Sequence, residues 1–280
     1  MRVSFSPLVC VAACMAMNVA HAEVLTYVVG DQVMANGSQG GWMLANVHGA
    51  STLQFSGNLI NALNVMKSTL AVGEPADLQV ATTSLTSGTG AVTTRLGAVS
   101  LGAPLTSLTG DFGDQTVTVQ AMSTQGGFSL ATTDNAATDG AGFLSISNLR
   151  VDLLAKRVYA EIEGGNGVGA RLGYHLWSFN TQSAPLVITV SGYLTPGYTN
   201  SANESVISGL FASTEAMDLI DQALSLNSLG RSALNAVNNP LNASGLGFGS
   251  ISLAVPEPSS CAMLMVGGLC AGWMARRRKA

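Results

Sequence analysis

Glu161 and Glu163 stand two apart in the segment Arg157 to Glu163, RVYAEIE. Residues i and i+2 share one face of a strand, so both carboxylates point the same way. Paired carboxylates are the working groups of glycoside hydrolysis. Such pairs usually come from different elements, however, and the solvated face of a strand accounts for these two more simply. A second constellation is Tyr174, His175, Trp177 and Phe179. In a regular strand Tyr174 lies with Leu172 and Leu176, while His175, Trp177 and Phe179 share the other face. Aromatic rings stack on sugars and a Tyr/His pair ligates haem iron. Tyr174, His175 and Trp177 are therefore the candidate ligand-binding residues, with core packing as the competing reading. Asp134-Asn135 and Asp139-Gly140 form an acidic turn with oxygens suited to Ca²⁺, but without the ligand density of a calcium loop.

Other chemistry is missing from the spacing. His48 and His175 sit in no zinc-binding pattern, and no Gly-x-Ser-x-Gly elbow or phosphate-binding loop occurs. Gly165-x-Gly167-x-x-Ala170 matches a dinucleotide fingerprint in form only. The next residues, Leu172 to Trp177, read as a strand, and no helix N-terminus is there to hold a pyrophosphate. The sequence thus predicts a hairpin turn, no cofactor and no catalysis.

The elements that position these residues read mainly as strands. Val24–Val29, Thr52–Phe55, Thr116–Met122, Phe143–Leu154, Arg157–Glu163, Ala170–Phe179 and Leu186–Leu194 carry β-branched or alternating patterns. In Phe143–Leu154 the inward set begins as Leu144 and Ile146 and continues as Leu149, Val151 and Leu153. That parity change requires an extra residue, which predicts a β-bulge near Ser147-Asn148. Leu59, Ile60, Leu63, Met66 and Leu70 fit one helical face. Ser213 or Thr214 caps a late helix bearing Met217, Ile220 and Leu224, and Leu229–Val237 is a second helical piece ended by Asn238-Asn239-Pro240. The expected fold is mainly β, a β-sandwich-like or β-rich α+β domain with a late helical segment.

Both chain ends carry export signals. Met1-Arg2, an apolar run from Leu8 to Val19 and Ala20-His21-Ala22 compose a signal peptide (1–22) cut between Ala22 and Glu23. This implies the Sec translocon and signal peptidase as partners. Residues 23–239 are the exported domain, and 240–254, rich in Gly, Asn and Ser, read as a flexible spacer. Pro256-Glu257-Pro258 then breaks any regular structure, because proline fixes φ and lacks an N–H. Residues 259–275 are an uncharged apolar run of transmembrane length, about 25 Å as a helix. Arg276, Arg277, Arg278 and Lys279 close the tail (276–280) as a cytoplasmic basic cluster.

This tail, residues 255–280, resembles the PEP-CTERM sorting signal of Gram-negative bacteria that make exopolysaccharide. The resemblance implies that an exosortase-like transpeptidase recognises Pro256-Glu257-Pro258. The precursor would be anchored transiently in the inner membrane, and its product would go to the cell surface or to the extracellular matrix of a biofilm. Residues 144–163 are also loosely similar in texture to secreted haem-binding β-domains.

Composition fits export. Cys10 and Cys14 fall in the leader and Cys261 and Cys270 in the tail, so the exported part has no thiol or disulfide. Seven basic side chains face 16 acidic ones between residues 23 and 258, a net charge near −9. That balance excludes nucleic acid as a partner and disfavours polyanions held by a basic patch. The function this supports is a non-enzymatic structural or interaction protein of the surface or exopolysaccharide matrix. A sugar- or haem-binding module and a polysaccharide hydrolase are the alternatives.

Overall fold

The computed structural model describes residues 23–28, 50–86, 92–112, 116–190, 200–202, 204–242 and 245–254. In chain order the elements are β1 (Glu23–Val28), β2 (Ala50–Phe55), α1 (Gly57–Val65), β3 (Thr69–Gly73), β4 (Asp77–Thr86), β5 (Val92–Phe112), β6 (Thr116–Thr124) and β7 (Gly127–Thr132). They continue as β8 (Gly142–Asp152), β9 (Arg157–Gly164), β10 (Gly169–Gln182), β11 (Val187–Val190), β12 (Asn200–Ala202), β13 (Ser205–Ala212), α2 (Thr214–Ala223), α3 (Ser228–Val237) and β14 (Gly249–Ala254).

Eight of these strands close a ring. β2, β5, β6, β8, β9, β10, β13 and β14 follow one another around it in chain order, each antiparallel to its neighbours. β14 pairs back onto β2, and β6 pairs onto β8, so the ring has no break. This is an up-and-down barrel, the arrangement that removes sheet edges altogether. The expected sandwich is corrected accordingly. A sandwich needs two sheets with free edges, whereas here the strands that would be edges pair with each other. The remaining strands branch from the wall: β4 and β1 lie on β5, β7 continues the line of β6 along β8, β3 lies on β7, and β11 and β12 extend from β6.

Alternation fills the interior. Ser51, Leu53 and Phe55 on β2, Ile251 and Leu253 on β14, and Val158, Ala160 and Ile162 on β9 are all buried. The same holds for Leu144, Ile146, Leu149 and Val151 on β8, with the parity change where the sequence predicts it. The register shift between Ser147 and Arg150 is that bulge. Phe55 meets Phe128 edge-on, ring centroids 5.1 Å apart. Burial on this scale supplies the main stabilisation of such a domain.

The helices gather at one end of the barrel, where β2 and β13 finish and β14 starts. Ser56 caps α1 through its hydroxyl, which accepts from Leu59 N and donates to Gly247 O. Leu59, Ile60, Leu63 and Met66 are buried as the helical pattern anticipates, while Leu70 already belongs to β3. Ser213 caps α2 and Asn227 caps α3, so both late helices stand where their spacing predicts them.

The spacer reading of 240–254 is corrected over its last six residues, which form β14. Gly249 makes that strand possible. It has φ +150°, and a Cβ there would stand 2.0 Å from Gln54 O of the partner strand. Leu186–Leu194 is seen as β11 over Val187–Val190. The signal peptide, the motif at 256–258, the apolar run at 259–275 and the basic tail at 276–280 lie outside the described residues. Among the described residues no helix is long and apolar enough to cross a membrane.

Candidate functional site

The aromatic strand β10 does not present its rings together. Register shifts between Arg171 and Tyr174, and again between His175 and Trp177, alter the alternation twice. Trp177 is opposite the buried Val158 and is itself 2 % exposed, packed against Phe248 with ring centroids 5.8 Å apart. It is a core residue. His175 is opposite Tyr159 on the outer wall, its ring 5.6 Å from the tyrosine ring and its Nε2 3.1 Å from Ser178 Oγ. Tyr174 is half-buried against the core. Burial raises its pKa, the carboxylates of Glu215 and Asp218 on α2 raise it further, and Arg171 offsets part of this. The expected trio of Tyr174, His175 and Trp177 is therefore split, because a bulge places Trp177 on the face opposite His175. No single surface ligand reaches all three.

Glu161 and Glu163 do share the outward face of β9, with Tyr159. They differ in surroundings. Asn148 Nδ2 donates to Glu161 Oε2 at 2.7 Å, whereas Glu163 is exposed and borders no groove with it. The Asp134–Gly140 turn is occupied by its own fastenings: Asn135 bonds Met66 O, Thr133 O and Ala137 N, and Thr138 Oγ1 donates to Thr133 O. Among the described residues no group of three His, Cys, Asp or Glu could hold a metal ion. Residues 165–168 are the hairpin turn joining β9 to β10, which holds the Gly165-x-Gly167 pair as expected.

What the structure does bring together is a groove of about 620 Å³ on the outer wall. It crosses five neighbouring strands: Thr106 on β5, Ser123 and Thr124 on β6, Asn148 and Arg150 on β8, Tyr159 and Glu161 on β9, and Gly173 on β10. Arg150 lies with its guanidinium carbon 5.8 Å from the Tyr159 ring centroid. Asn148 has φ +52° and is held at both ends of its amide, since Oδ1 accepts from Gly126 N at 3.1 Å while Nδ2 donates to Glu161. Sequence reasoning passed over Tyr159, Arg150 and Asn148, although the bulge at 147–148 was the signal for them. That extra residue is what turns Arg150 outward beside Tyr159.

A second groove, of about 700 Å³, lies between α2 and α3 and includes Asp218, Asp221, Gln222 and Arg231. Asp221 Oδ1 is buried without a hydrogen-bond partner, and Oδ2 is 3.7 Å from Arg231 Nε. Burial raises the Asp221 pKa, Arg231 opposes the rise, and Asp218 adds to it.

The closed barrel is followed at once by a C-terminal address. The address is a PEP-CTERM protein-sorting motif, matched over residues 254–279. The match begins on the last residue of β14. Such a motif implies processing by an exosortase and a membrane-anchored precursor destined for the cell surface. No curated protein and no solved structure matches the chain.

Proposed function

We propose that this protein is a non-catalytic structural or interaction component of the cell surface or exopolysaccharide matrix, folded into its barrel after export and then released from its tail. The observation that carries this is the placement of the sorting motif directly behind the strand that closes the barrel. A leader cut between Ala22 and Glu23 delivers the chain to the Sec translocon. Residues 259–275 hold it in the inner membrane with Arg276–Lys279 on the cytoplasmic side. Cleavage at Pro256-Glu257-Pro258 then leaves every barrel strand in the product. The role is one of contact and not turnover, and it draws support from the different surroundings of Glu161, bonded to Asn148, and of the exposed Glu163.

The test is intact mass and fractionation of the native protein, with and without Pro256, Glu257 and Pro258 changed to alanine. The expected result is a surface or medium product ending near residue 257, replaced in the variant by a membrane form ending at Ala280. A full-length membrane form in both strains would reduce the tail to an anchor.

A further inference from the structure

We propose that the groove across β5, β6, β8, β9 and β10 binds a neutral, hydroxyl-rich glycan chain, with Tyr159 as its stacking platform. This deepens the reading of the protein as a matrix-facing component and rests on it.

Three irregularities meet in the groove. One of the two breaks in the β5–β6 register falls at Thr106, between Leu105 and Ser107. The β8–β9 register breaks at Asn148-Leu149, and the β9–β10 register breaks at Leu172-Gly173. Thr106, Asn148 and Gly173 all line the groove. On β9 the two later breaks fall opposite Ala160 and Glu161, one from each side. A bulge disrupts the ladder and re-aims a side chain, and bulges concentrate next to binding sites as well as where a barrel needs curvature. Here the strands on both sides of β9 are displaced at the level where Tyr159 and Glu161 face outward.

The shape suits a chain and not a lone ring. Five strands at their usual spacing make the groove about 19 Å across. The lining suits hydroxyls. Thr106, Ser123, Gln125 and Asn148 each donate and accept, as a hydroxyl does, and no lining residue is a large aliphatic. Arg150 and Glu161 cancel in charge, so a polyanion finds one cation against an acidic domain. The Asn148 amide is fixed at both ends, on a backbone in the left-handed conformation that asparagine tolerates better than most residues. It holds one oxygen of Glu161 and so orients the carboxylate for a sugar hydroxyl. Tyr159 has the Arg150 guanidinium over one face of its ring and His175 tilted beside it, and its remaining ring surface is the platform for the C–H face of a pyranose.

The experiment titrates detergent-solubilised full-length protein with neutral gluco-, manno- and galacto-oligosaccharides of one to six units, with hexagalacturonate as the acidic control. At least one neutral series is expected to bind, with affinity rising with length. Tyr159→Ala and Asn148→Gly should each weaken binding about tenfold or more, while Tyr159→Phe keeps it. Because Tyr159→Ala could lower stability, hydroxyl-radical footprinting of the unaltered protein is the second measurement, and protection of Tyr159 and His175 by the bound hexasaccharide is expected. Absence of binding by every neutral series, preference for hexagalacturonate, or footprints away from these rings would overturn the site. Surface fractionation of the folded Tyr159→Ala and Asn148→Gly variants separates this from the sorting reading. Lost glycan binding with intact sorting leaves the two independent, and a failure of sorting in the unaltered protein counts against the functional proposal alone.

Discussion

Asp221 is the residue whose ionisation the fold resists most visibly. Its carboxylate is mostly buried, one oxygen is unpartnered, and its pKa is pushed up by burial. A carboxyl with a raised folded-state pKa binds its proton more tightly in the native protein than in the unfolded chain. Stability is then full below the unfolded value near 4 and falls as pH rises toward the folded value. Asp221→Asn should therefore raise the thermal midpoint at pH 7, and the gain should vanish below about pH 4. Thermal melts of both proteins across that range check this, and a pH-independent difference would contradict it. The pair with Arg231, at 3.7 Å with the arginine largely exposed, returns little. At this scale the sequence was readable where periodicity speaks. Leu144, Ile146, Leu149 and Val151 face inward as their spacing demands. It was unreadable at Trp177, because two bulges in one strand shift parity twice and only the first carries a mark in the residue types, Gly173 with φ +59°.

Among the elements, the hairpin of β4 and the first part of β5 is thinly supported from outside itself. β5 runs 21 residues, and its first part pairs with β4 alone among the described strands. Most of β4 is exposed on both faces. Asn64 secures the hairpin to α1, since its amide donates to Leu96 O and its carbonyl accepts from Leu96 N, each at 2.9 Å. Asn64→Ala removes both bonds. It should cost about 1–2 kcal/mol. It should also speed amide hydrogen exchange in 92–99 more than in β9, and equal protection in both proteins would show that the hairpin is held by other means. Asn64, a weaker helix former than most, has its place in α1 explained by this fastening. The same Ser- and Gly-rich texture concealed β14. Ile251 and Leu253 alternate as a strand should, but the run GSISLA is short and comes after a loop, so its pairing partners and not its composition make it a strand.

For the whole molecule, closure is the property no local pattern encodes. A barrel and a sandwich share the same alternating strands, and they differ in whether β6 finds β8 and β14 finds β2. These are long-range pairings, the β14–β2 contact joining residues about 200 positions apart. Ending the chain after Ala254 should leave a cooperative, monomeric fold. Ending it after Phe248 should expose the edges of β2 and β13 and give aggregation. Size-exclusion chromatography of the two truncations checks this, and a monomeric shorter chain would show that the ring closes without its last strand. The order of parts along the chain also acts as a proofreading rule. Because the address begins where the final stave ends, no prematurely terminated polypeptide that lacks part of the wall can carry the label that sends it outward.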